Sequence, residues 1–199
     1  MKNLLYLFIL IYTVTLNAQI ENNPPPPPSI TIPMADWNYD EDYQDYCYVK
    51  DTENKYGFWE GTWQYTNGNT SFTIVFTKYE MVYSETQNTL TSMTKAYGDE
   101  LKGGYQYVEN DVDICNTLNY SYPGDSYYYL GPISASTSNY NINNSLNIFY
   151  IDECENSEGI ARLELLPGST TQAQWTLTRI EPYDDNYSVP NSVILTKIN

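Results

Sequence analysis

The chain has no histidine, and 25 acidic residues stand against nine basic ones. Serine–histidine and cysteine–histidine nucleophiles, histidine-held zinc and histidine-held haem are therefore excluded. Paired carboxylates are the catalytic apparatus still open. Glycoside hydrolysis needs two of them, about 5–5.5 Å or about 6.5–9.5 Å apart. Glu80, Glu85, Asp99, Glu100 and Glu164 are the candidates, and none sits in a motif. In so acidic a chain some pair falls close by chance. Serine and threonine are plentiful but lack a base, and the glycines form no phosphate loop. The expectation is a non-enzyme with no catalytic residues and no cofactor.

Metal chemistry fares no better. Cys47, Cys115 and Cys154 lack the short spacing of a ligand pair, so no metal site is expected from them. In an oxidising compartment they predict one disulfide and one leftover thiol, with all three pairings open. Residues 36–45 interleave acids with aromatics, and Asp40 and Asp42 alternate as calcium ligands do. The glycine of a calcium loop is missing, so a solvated acidic tail is the reading.

Binding chemistry is better represented. The chain carries 22 tyrosines and four tryptophans. Aromatic rings stack on sugar faces, but they also pack cores and cross-strand pairs. A modest pocket bordered by Tyr105 and Tyr107 is the candidate binding site, for a small apolar or glycan ligand. The alternative is a surface or interaction protein, adhesin-like or inhibitor-like, that meets a protein partner through its acidic, tyrosine-rich exterior. The net charge of −16 argues against nucleic acid.

The elements that position these residues can be placed in order. Lys2, an apolar run over residues 4–16 and Ala18-Gln19 predict a signal peptide over residues 1–18. Its apolar core is too short to span a bilayer, and the mature chain shows no later spanning run, so the address is secreted or periplasmic. Residues 19–46 read as a proline-rich and acidic, tyrosine-rich tail. Within it, residues 24–28 are five prolines, a stiff rod of about 15 Å. Residues 47–199 read as a single β domain.

In that domain, short runs rich in Thr, Tyr, Ile, Val and Phe alternate with Asn, Gly, Asp and Pro. Residues 88–101 are the best helical candidate, and a weak one. Asn67-Gly68 predicts a type I′ hairpin. That register sets Trp63 against Phe72, Gly61 against Ile74 and Trp59 against Phe76, with the aromatic set on one face. Further pairs are expected between residues 103–108 and 112–120, placing Tyr107 opposite Ile114 with Cys115 on the other face. Residues 146–151 pair with 159–166. Ala173, Trp175, Leu177 and Arg179 share a face, residues 127–130 form a short strand and residues 193–198 the last one. The inferred interior is Trp63, Tyr65, Phe72, Ile74, Tyr105, Tyr107, Ile114, Trp175, Leu177 and Arg179. The fold class is all-β: an antiparallel up-and-down barrel of eight to nine strands, with a two-sheet β-sandwich as the alternative.

Gly61-Thr62-Trp63 resembles the Gly-x-Trp opening of lipocalin-like barrels. That resemblance implies that Trp63 closes one barrel end with an arginine across its ring, and Arg179 is the positional match. A longer pattern covers about 150 residues. It runs through Tyr48-Val49-Lys50-Asp51, Gly61-Thr62-Trp63-x-Tyr65-x-Asn67-Gly68, Tyr105-x-Tyr107, Asn116-Thr117-Leu118 and Ile194-Leu195-Thr196-Lys197. It is similar to a family of secreted Gram-negative bacterial proteins of unassigned function, a domain of unknown function. That family brings no catalytic residues with it.

Overall fold

The computed structural model describes residues 25–38, 43–89, 92–119, 131–135, 144–179 and 187–198, with backbone alone at 86–89, 92 and 179. The elements in chain order are β1 (Ile30–Pro33), a 3-10 turn (Met34–Asp36), β2 (Cys47–Lys50), the short helix α1 (Lys55–Trp59), β3 (Gly61–Asn67), β4 (Thr70–Thr89), β5 (Ser92–Glu109), β6 (Val112–Asn116), β7 (Ile133–Ala135), β8 (Ser145–Asp152), β9 (Ser157–Leu165), β10 (Gln172–Arg179) and β11 (Ser192–Lys197).

Among the described residues, β3, β4, β5, β7, β8, β9, β10 and β11 close into an eight-stranded antiparallel barrel. Closure comes from β5 pairing with β7 and from β11 pairing with β3. The barrel of the sequence reading is thus the fold, and the sandwich alternative falls. Alternation builds its walls. Along β9, Ser157, Gly159, Ala161 and Leu163 are buried while Glu158, Ile160, Arg162 and Glu164 face out. Phe72, Ile74 and Phe76 on β4, with Trp63, Tyr105, Trp175 and Leu195, fill the interior at 2% exposure or less.

β4 and β5 form a hairpin far longer than the barrel needs. Its distal half leaves the barrel and is extended by β2 and β1, both parallel, in the order β1-β2-β5-β4. One edge of β5 is therefore covered in succession by β2 at residues 96–98, β7 at 101–103 and β6 at 106–109. The described residues of the helical candidate over 88–101, which are 88–89 and 92–101, belong to this hairpin. Met93, Lys95 and Tyr97 each face a β4 partner, and the cross-strand ladder outweighs a weak local helical preference. Gly103 makes the crowded stretch possible, since a Cβ there would lie 2.0 Å from the Val75 carbonyl oxygen.

Three corrections concern register. The β3–β4 turn is centred on Gly68-Asn69, not Asn67-Gly68, so Trp63 faces Ile74, Tyr65 faces Phe72 and Gly61 faces Phe76. Gly68 takes φ +59°, the sign a type II′ turn asks of its first central residue. The shift is two residues, an even number, so every side chain keeps its expected face. The type I′ geometry occurs instead at Asn110-Asp111, both at positive φ. A bulge between Tyr107 and Val108 then reverses the expected facing of β6. Cys115 is buried opposite Tyr107 and Ile114 is 41% exposed. Trp59 ends α1 instead of opening a strand, and it is fully buried.

The expected tail is also partly structured. Residues 30–33 pair with β2, and Met34 joins the core. The strand expected over residues 127–130, and Asp40 and Asp42 of the calcium test, lie outside the described residues.

Candidate functional site

Tyr105 and Tyr107 stand two apart on β5, and their rings touch Phe72 at 6.5 Å each. Only Tyr107 reaches solvent. Its hydroxyl donates to Glu109 Oε1 at 3.2 Å, and burial followed by the Glu109 carboxylate raises its pKa. Tyr105 is fully buried, with its ring 5.1 Å from that of Tyr150. Its hydroxyl accepts from the Glu153 amide at 3.2 Å and lies 3.4 Å from Asp152 Oδ1 and from the Ile151 carbonyl. Burial pushes that phenol up to about 12. The two tyrosines of the candidate pocket are therefore brought to one face, but one of them is fully enclosed.

Asp152 is the centre of this end of the barrel. The carboxylate is fully buried and accepts from the amides of Cys154 and Glu155 at 3.1 Å and of Ser188 at 2.6 Å. Ser188 Oγ lies 2.8 Å from Oδ2, and the Tyr150 hydroxyl donates to Oδ2 at 3.2 Å. The Cys115–Cys154 disulfide adjoins it, leaving Cys47 as a buried free thiol. Cys115, Asp152 and Cys154 hold potential ligand atoms within 4.8 Å of one another. Oxidised sulfurs offer no thiolate, so this trio lacks the donor set of a metal centre.

A second buried carboxylate lies where the hairpin leaves the barrel. Asp99 accepts from the Tyr48 hydroxyl at 2.6 Å, the Asp51 amide at 2.9 Å and the Met81 amide at 3.1 Å. Met81 sits in the β4 bulge at φ +55°. Asp51 in turn accepts from the Lys55 and Tyr56 amides that open α1 and from Lys78 Nζ at 3.2 Å. Beside them Glu100 pairs with Lys102 at 3.0 Å, both nearly enclosed. Burial raises the Glu100 pKa against the pull of Lys102.

The other carboxylates considered for catalysis are engaged or open to solvent. Glu85 accepts from Tyr83 and approaches Lys95, Glu164 pairs with Arg162, and Glu80 is exposed. At the opposite barrel end Trp63 donates its indole N–H to the Trp59 carbonyl at 2.9 Å, and the two rings lie 5.5 Å apart. The cation over Trp63 is Lys197, 5.7 Å from the ring centroid. Its Nζ also donates to the Phe58 carbonyl, and burial lowers its pKa. Arg179 pairs through its backbone with Gly159, whereas Lys197 bonds the Thr171 carbonyl. Eight residues of β10 separate those two levels, about 26 Å of strand.

A family model described as "Family of unknown function (DUF6705)" matches residues 1–198. The chain belongs to that family. No curated protein and no solved structure matches it. DUF6705 is represented here by a closed barrel carrying a β extension, and its polar centres are residues that composition does not single out. Asp152 lies in no motif of the sequence, and Asp51 and Lys197 stand in the long family-like pattern with no role attached to them. The one available signal for Asp152 was its place at the end of an alternating strand, two residues before a cysteine.

Proposed function

We propose that this DUF6705 chain is an exported, non-catalytic interaction protein that works through the outside of its barrel. The observation carrying this reading is the enclosure of Tyr105. The residue best placed to line an internal pocket is fully buried, and its hydroxyl is already engaged by Glu153 and Asp152. The buried carboxylates support the non-catalytic part. Asp51, Asp99 and Asp152 are each occupied by backbone amides, which stabilise them as structural anions. Export is supported by the disulfide and by the apolar start of the chain. No helix among the described residues is long and apolar enough to cross a membrane.

A small apolar or glycan ligand is the second reading, favoured by the half-buried Tyr107 beside Tyr65. Intrinsic tryptophan fluorescence separates the two, because Trp63 and Trp175 line the interior. Interaction through the exterior predicts no saturable quenching or blue shift across a panel of simple glycans and fatty acids. Saturable quenching that Tyr107→Ala abolishes would establish the ligand reading instead.

A further inference from the structure

The β extension carries a row of tyrosines on one face. Tyr48 of β2 pairs with Tyr97 of β5, which pairs with Tyr83 of β4, so the three share that face. The rings of Tyr83 and Tyr97 lie 5.1 Å apart. Tyr46 stacks on Tyr83 at 6.2 Å with an interplanar angle of 11°. This cluster is separate from the barrel core. Although the row lies outside the barrel, Tyr48, Tyr83 and Tyr97 are only 7–8% exposed.

The proline run meets this face. The Tyr97 hydroxyl donates to the Pro26 carbonyl at 2.5 Å. Ser29 then bonds both the Tyr46 carbonyl through its amide and the Asp45 carbonyl through its hydroxyl, and Ile30 begins the parallel pairing with Cys47. Consecutive prolines have no N–H and no internal hydrogen bonds, so their carbonyls are free acceptors along a stiff rod. Rows of aromatic rings with a phenol or indole donor are the general means of gripping such a rod. The rings pack on pyrrolidine faces, the donor reads a carbonyl, and the stiff ligand loses little entropy. Tyr97 and Pro26 make the donor-to-carbonyl bond of that mode within one chain.

We propose that the Tyr46–Tyr48–Tyr83–Tyr97 face is a recognition surface for polyproline II segments, occupied in this chain by its own residues 25–28 and open to exchange with a proline-rich segment of another protein. This rests on the interaction reading above and names the partner class. The anchor for exchange is already built. β1 holds residues 30–33 by strand pairing, so the prolines can lift while the rest of the segment stays docked. The self-segment competes as a tethered ligand, present at the high effective concentration that a short connection gives.

The test uses the full mature chain and fluorescein-labelled decaproline, read by anisotropy. Replacing residues 24–28 with a Gly/Ser run removes the tethered competitor. Decaproline then binds saturably and at least about tenfold more tightly than it binds the unchanged chain, the gain that loss of an intramolecular competitor produces. Adding Tyr97→Phe weakens that binding while leaving near-ultraviolet circular dichroism intact, and Tyr83→Ala weakens it further. Equal binding by the replaced and unchanged chains, or binding indifferent to both tyrosine variants, overturns the proposal, as does no binding by a replaced chain whose spectrum is native. These outcomes are independent of the fluorescence screen above, so the proline inference can fail while the interaction reading stands.

Discussion

Two buried aspartates do similar work in different places. Asp152 and Asp99 are both fully enclosed, and each accepts from a tyrosine hydroxyl and from backbone amides of other segments. Asp152 ties the β8–β9 turn to Tyr150 and to Ser188, and a disulfide runs alongside its bonds. Asp99 ties the barrel's long hairpin outward, to β2 through Tyr48, to the α1 lead through Asp51 and to the bulge at Met81. No covalent bond among the described residues backs it. The first anion closes the container, and the second mounts an appendage on it. The contrast teaches that one chemical device, a desolvated carboxylate offered to amides, serves closure or attachment according to which segments supply the donors.

The contrast breaks most visibly at Asp152. Asp152→Ala removes the acceptor shared by the amides of Cys154, Glu155 and Ser188 and by the buried Tyr150 hydroxyl. We expect a loss of roughly 3–5 kcal/mol, in the range for removing one partner of a buried charged network. A urea midpoint within error of the parent's would refute the assignment. Asp99→Ala is expected to cost less, roughly 2–3 kcal/mol, since fewer donors converge on it. Its signature is regional: amide exchange at Asp51 and Met81 quickens while that at Leu163 and Trp175 does not. Uniform quickening would mean that the extension and barrel are one cooperative unit.

A pH series sharpens the comparison from the inner side. Tyr105 has its phenol pushed up to about 12 by burial, above the ordinary 10.0. A group raised on folding contributes stability that is complete below its unfolded value and lost as pH climbs through its folded one. The window is therefore from 10.0 to about 12. Two pH units correspond to about 2–3 kcal/mol. Burial raises Tyr150 and Tyr48 in the same direction, whereas Lys197, lowered by burial, opposes them. Urea midpoints should fall steeply across that window and less steeply in Tyr105→Phe. A flat profile would contradict the enclosure of the phenol.

The smallest effect concerns the bulge. Met81 holds φ +55°, a region that costs a residue with a Cβ about 1 kcal/mol or more. Met81→Gly relieves that strain at an exposed site and should raise the urea midpoint by the equivalent of about 0.5–1 kcal/mol. A drop would show that the Met81 side chain has a packing role.

Legibility in the sequence followed parity. The faces of β3, β4 and β10 could be read because alternation survives an even slip, as the two-residue error at Gly68 demonstrates. The face of β6 could not, because the bulge after Tyr107 changes the count by one and no residue type marks it. α1 escaped because five residues cannot display a helical period. The lipocalin-like resemblance implied a cation across Trp63 with Arg179 as its positional match, but which cation lies there is a matter of register, and Lys197 does. The aspartate centres could not be read as such for another reason, although Asp99 stood among the candidate carboxylates. A single acid among 25 acquires meaning only when distant segments converge on it.

The unpaired thiol of Cys47 turns the packing of β2 into a clock. It is wholly buried between Ile30 of β1 and Ala96 of β5, and burial raises its pKa, so it is silent toward alkylating reagents while those strands hold. Reaction must wait for an opening event, and with reclosure fast its rate measures the fraction of time the seam is open. The protein therefore carries its own chronometer for peeling of the N-terminal segment, legible by mass spectrometry as the gain of one alkyl group.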